Sequence, residues 1–168
     1  MNIKQIALYS VLTSILFVSE QLLSFIPNVQ LTFLLIILYN KVLGIKPTII
    51  IVIIHTLLDN LIMGSFTPLI IIPMMMGYIV TLIILQTLFK NANTPLFLAL
   101  FGILAGIIYS FMFIIVNVLL LDISLKAYII ADIPYTLILV ASNFITILWL
   151  YTPLNKILTN IVNKYFVK

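Results

Sequence analysis

Residues 95–121 read PLFLALFGILAGIIYSFMFIIVNVLLL, a run without a single charge. A hydrophobic stretch of eighteen or more residues reads as a membrane-spanning helix. The run is bounded by the polar break Lys90-Asn91-Ala92-Asn93 before it and by Asp122 after it. Working outward, the same pattern recurs. Ile6 to Ile26 is a first span, stopped by Pro27-Asn28, and Val29 to Leu43 is a short second one. Pro47 to Met63 is a third, and the turn Gly64-Ser65-Phe66-Thr67-Pro68 leads to a fourth, Pro68 to Phe89, with Pro73 inside it as an expected kink. Asp122 to Asp132 reads as a loop, and Ile133 to Leu154 as the sixth span.

The composition demands the same answer. The chain is 64% hydrophobic and 7% charged, against about 45–50% apolar and about 25% charged in a soluble domain. Lipid must solvate most of this surface. The expected fold is an all-α integral membrane protein of six transmembrane helices, with residues 1–168 as one membrane-embedded domain.

Lys4, Lys41, Lys46, Lys90, Lys156, Lys164 and Lys168 fall in alternate gaps between the spans. Positive charge is retained on the cytoplasmic side, so both termini are expected there, with Lys126 alone outside. Lysines scattered singly over short loops orient a protein in a bilayer rather than bind nucleic acid. Trp149-Leu150-Tyr151 then sits at the inner interface, as an aromatic belt does. The first span follows Lys4 as a signal peptide would, but no small-x-small cleavage pattern follows, and it reads as a retained helix.

The polar residues collect at the opposite depth. Ser19, Glu20, Gln21 and Ser24 end the first helix, and Asn28 and Gln30 occupy the first outer loop. His55 and Asp59 stand four apart on one face of the third helix, and Thr56 and Asn60 repeat the spacing one residue round. Asn117 and Asp122 end the fifth helix; Asp132, Tyr135, Thr136 and Asn143 start the sixth. A carboxylate at a helix centre costs about 2.5–3.5 kcal/mol on insertion scales. A polar stripe two residues wide is expected to face the protein interior or a water-filled cavity. The candidate binding residues are Glu20, Asn28, Gln30, His55, Asp59, Asn60, Asp132 and Tyr135, with Phe25, Phe66 and Tyr135 as apolar or stacking walls.

Chemistry is constrained by what is missing. With no cysteine in the chain, thiolate nucleophiles, thiolate metal sites and disulfides are excluded. His55 is the single histidine. It serves a hydrogen-bond network or a ligand better than a metal, which needs further ligands. His55 and Asp59 lack a third catalytic group, so no catalytic residue, metal or cofactor is assigned. With no P-loop, the chain does not hydrolyse ATP by itself.

The other halves of the helices carry small residues. Ala7, Ser10 and Ser14 stripe the first helix; Ala99, Gly102, Gly106 and Ser110 stripe the fifth, with a GxxxG at Gly102 and Gly106. Small residues let helices approach closely in lipid. The fifth-helix stripe suits packing within the chain, and the first-helix stripe suits docking of another membrane subunit.

Six spans with a polar outer pocket and a small-residue first helix resemble the substrate-binding S components of energy-coupling factor (ECF) transporters. The run from Glu20 through Phe25-Ile26-Pro27-Asn28-Val29-Gln30, and the short helix ending Lys41-Val42-Leu43-Gly44, are similar to the first hairpin of a vitamin-type group. His55-Thr56-Leu57-Leu58-Asp59-Asn60-Leu61-Ile62-Met63-Gly64 is similar to the end of its third helix. The resemblance implies a multi-pass receptor in a bacterial plasma membrane that takes a vitamin or related micronutrient from the extracellular side for ATP-driven uptake. It implies partners: a transmembrane coupling subunit and two ABC ATPases that hydrolyse the ATP. It implies Pro27-Asn28 and Gly64 to Pro68 as mobile lids, and docking through the first helix. Ala7 stands at the first position of the family's Ala-x-x-x-Ala motif and Val11 at the second, with Ser10 and Ser14 offering a small surface. A stand-alone secondary transporter, a membrane enzyme and a structural subunit are the competing readings. Against a carrier, the chain shows no internal repeat of the kind common in such proteins.

Overall fold

The computed structural model describes residues 3–166, and Lys168, read above with the cytoplasmic lysines, lies outside them. It is an all-α membrane protein of six helices: α1 (Ile3–Leu23), α2 (Thr32–Leu43), α3 (Ile45–Ile62), α4 (Pro68–Thr87), α5 (Pro95–Leu121) and α6 (Leu125–Phe166). Five are long and apolar enough to cross a bilayer; α2 is the exception. Many large apolar side chains face outward, from Val11 on α1 to Trp149 on α6, as lipid solvation requires.

The short helix α2 is the core. All residues from Thr32 to Asn40 are buried. A helix apolar all round belongs inside a protein, and at 12 residues this one rises only about 18 Å. It contacts each of the other five helices. Around it, α1 packs on α3, α3 on α4, α4 on α5 and α5 on α6. At Thr32 it meets Glu20, and at Tyr39 the phenol donates to the carbonyl of Leu12. It therefore runs antiparallel to α1. Lys41 Nζ then reaches the carbonyls of Phe89 and Lys90, at 2.8 and 3.0 Å. The turns after α2 and after α4 thus share one end of the bundle, away from Glu20 and Asp59.

A short α2 needs a long approach. The segment from Ser24 to Leu31 descends along α6 before the helix begins: Asn28 Nδ2 donates to the Tyr135 carbonyl at 3.0 Å, and Gln30 is bonded to Ser142. Tyr135 to Ser142 is about 10 Å along a helix. Irregular backbone survives at membrane depth only where protein shields it, and Gln30 is buried. Asn28, at φ 58°, supplies the left-handed turn, a conformation asparagine tolerates better than most residues. At the far end of α2 the joint to α3 is the single residue Gly44, whose φ of 88° favours glycine.

The fifth-helix glycines pack within the chain. A Cβ on Gly102 would collide with the Ile147 side chain, and one on Gly106 would stand 2.9 Å from Val140, both on α6. Asn143 Nδ2 donates to the Gly102 carbonyl across this contact at 3.1 Å. Gly77 does the same for α4 and α5, where a Cβ would lie 2.8 Å from the Tyr109 ring.

One expected boundary is corrected. The segment from Asp122 to Asp132 is not a loop: α6 begins at Leu125 and continues to Phe166, through Pro134 and Pro153. Its polar start, with Ser124 and Lys126, mimics a turn in sequence, yet only Asp122 to Ser124 leave the helices. Asp132 is therefore a helical residue. The sixth span is likewise longer than Ile133 to Leu154, because neither proline ends the helix.

Candidate functional site

At the end of the bundle opposite Lys41 and Lys90, α1, the descending segment, α3 and α5 enclose a cavity of about 180 Å³. Its polar lining is Glu20, Gln21, Ser24, Asn28, Gln30 and Asp59; its apolar lining includes Leu23, Ile26, Val29, Met63 and Tyr109. No lysine lines it.

The two acids are positioned by separate networks. Glu20 Oε2 accepts from Thr32 Oγ1 at 2.9 Å, which ties α1 to the first turn of α2. The same oxygen lies 2.8 Å from His55 Nε2, across to α3. That is an ion-pair distance without the alignment of a hydrogen bond, and His55 Nδ1 has no protein partner either. The imidazole is wholly buried. One turn further along α3, Asp59 Oδ1 accepts from Gln21 Nε2 at 2.6 Å. Adjacent residues of α1 thus engage residues four apart on α3, and the polar stripe faces inward as its spacing requires: His55, Thr56, Asp59 and Asn60 are all buried.

Hydrogen bonds to a charged group contribute about 1.5–3 kcal/mol each, comparable with the insertion cost of a carboxylate given above. Partners on one oxygen therefore offset burial of each acid. Among the described residues, the other oxygens, Glu20 Oε1 and Asp59 Oδ2, have no hydrogen-bond donor.

Behind the acids stands an aromatic group. Tyr109 packs on Tyr78 of α4 with ring centroids 5.1 Å apart, and Phe33 of α2 meets both rings, at 5.5 and 5.6 Å. His55 lies 6.5 Å from Tyr78 by the same measure. Edge and tilted contacts at these spacings are the favoured geometries of aromatic pairs.

The structure brings together most, but not all, of the residues read from sequence. Glu20, Asn28, Gln30 and Asp59 line the cavity, and His55 reaches it through Glu20. Asn60 is committed elsewhere: it donates to the Thr56 carbonyl and accepts from Ser65, holding the turn before α4. Tyr135 contributes its carbonyl to Asn28, while its side chain is half exposed. Asp132 belongs to a separate, mostly apolar groove between α5 and α6. There Thr136 Oγ1 lies 2.7 Å from both Asp132 Oδ2 and Ser110 Oγ. A hydroxyl has one proton, so Thr136 donates to the carboxylate and accepts from Ser110.

Phe25 and Phe66 are exposed and form no wall. Their place is taken by Tyr109, Val29, Leu23 and Met63. Tyr109 had a signal in the sequence: it continues the face of Gly102 and Gly106 at spacings of seven and three. Thr32 and Ser142 had none, since what marks them is a partner distant in the chain.

On α1, Ala7, Ser10 and Ser14 are exposed, and a shallow groove runs along Ser10, Val11, Ser14, Ile15 and Val18. Ser14 satisfies its hydroxyl on the Ser10 carbonyl of its own helix, which leaves a smooth surface. No protein-family model, curated protein or solved structure matches the chain.

Proposed function

We propose that the chain is the substrate-specific receptor subunit of an ECF-type ABC importer, binding a vitamin or related small micronutrient at the extracellular side of a bacterial plasma membrane. The observation that carries this reading is the cavity at the acidic end, where two carboxylates each present an oxygen without a protein partner. Intramembrane acids are expensive and usually mark a substrate or ion pathway. The smooth, exposed face of α1 supports the second half of the reading, since close approach of small residues drives helix association in lipid. On this reading the energy comes from two ABC ATPases acting through a membrane coupling subunit, and this chain is no enzyme.

The test is to purify the full chain in mild detergent and identify retained small molecules by mass spectrometry. A receptor retains one polar compound in stoichiometric amount and, in proteoliposomes, moves none of it without its partners. Uptake by the chain alone, driven by a proton gradient, would establish a stand-alone carrier instead.

A further inference from the structure

The chemistry of the cavity narrows the ligand; this inference rests on the receptor reading of the site. We infer that the ligand is a small, single-ring organic cation with at least two N–H donors, of the amidine or aminoheterocycle class.

Charge is the first argument. Two carboxylates line the cavity and no lysine does. The one basic group at hand, His55, sits behind Glu20 on the same oxygen that Thr32 holds. Two carboxyl groups thus face a single imidazole, so acidic groups outnumber basic ones in the site. An anionic ligand would add a like charge in a medium of low dielectric, whereas a cation relieves the repulsion between the acids.

Hydrogen-bond sense points the same way. A carboxylate oxygen accepts and never donates. Glu20 Oε1 and Asp59 Oδ2 are two acceptors without protein donors. A ligand that satisfies both carries two N–H or O–H groups. Planar N–H forks match carboxylates in geometry as well as charge.

Size adds a third constraint. Pockets for drug-sized ligands run to about 300–1,000 Å³, while a cavity of about 150 Å³ takes up a benzene molecule. At about 180 Å³ this one suits a single ring with one substituent. Tyr109, in the lining, offers it an aromatic face, and aromatic faces attract cations.

Three probes of one shape separate the possibilities: benzamidine, a cation; benzamide, its neutral counterpart; and benzoate, an anion. Binding to the full chain in detergent, washed free of retained compounds, is measured by calorimetry. Benzamidine is expected to bind at least tenfold tighter than benzamide, and benzoate not at all. Asp59→Asn and Glu20→Gln are each expected to erase that preference. The comparison on the wild-type chain needs no variant to fold. If benzamide or benzoate binds as tightly as benzamidine, and a cavity-filling Val29→Trp variant abolishes that binding, the receptor site stands and the cationic class is wrong. If none of the three binds, the site and the inference fall together.

Discussion

Ser142 Oγ engages both backbone polar groups of Gln30, accepting from its N–H at 3.1 Å and donating to its carbonyl at 3.2 Å. One hydroxyl thereby does for a buried loop residue what a helix does for its own backbone. Ser142→Ala leaves a buried N–H and a buried C=O without their partner. Each unsatisfied group costs about 1–3 kcal/mol. We expect a loss near 2 kcal/mol in reversible unfolding in detergent. Faster hydrogen exchange at Val29 to Leu31 should accompany it, because the segment loses its anchor on α6. A variant as stable and as protected as the wild type would show that Ser142 is not the anchor.

On the receptor reading, the acids and the histidine bear on binding rather than on insertion. Asp59→Asn keeps an oxygen for Gln21 but removes the charge, and His55→Ala frees Glu20 from α3. Both variants should insert and purify normally, with affinity for the retained ligand reduced tenfold or more by calorimetry. Unchanged affinity in both would remove this cavity from consideration.

Two glycines packed against neighbouring helices should behave differently. Gly77→Ala pushes on Tyr109, meeting its ring at 2.8 Å and its Cα at 3.2 Å. Since Tyr109 lines the cavity, both stability and affinity should fall. The nearest neighbours of a Cβ on Gly106 all lie on α6, at Val140, Asn143 and Leu139. Gly106→Ala should cost about 1–3 kcal/mol, the usual penalty for overpacking, with ligand affinity within twofold of wild type. Melting curves taken with and without ligand separate the two effects.

The exposed face of α1 allows large substitutions without disturbing the bundle. Ala7→Trp and Ser14→Trp should leave melting temperature and ligand binding intact while blocking co-purification with a membrane coupling subunit. Normal co-purification of both variants would direct the search for a docking surface elsewhere.

Hydropathy and spacing carried much of this architecture. The runs at 68–89 and 95–121 became helices within two residues of their apolar limits, because lipid leaves the backbone no other way to satisfy its own groups. The stripe of His55 and Asp59 faces inward for an equally local reason: four residues make about one turn. What local pattern could not supply was the partner. Gln21 and Asp59, or Gln30 and Ser142, meet only after the chain has folded back. Asp132 illustrates the converse. Its depth is near that of the other acids, but its position on α6 directs it into a groove on the far side of that helix pair. Depth follows from sequence, whereas azimuth around a helix depends on packing.

The single-residue joint at Gly44 also has a mechanical meaning. One residue ties the start of α3 to the end of α2, whereas eight residues, 24–31, join α1 to α2. Slack exists on the other side, in the residues from Ser24 to Leu31. On the receptor reading, that longer connection gives α1 more freedom than Gly44 gives α3, so a swing of α1 is the motion to look for on ligand entry. Because α1 carries Glu20 while α3 carries Asp59, such a swing parts the two acids. On that reading the grip on a ligand and the position of α1 form one coordinate, and a pull on that helix would loosen the hold.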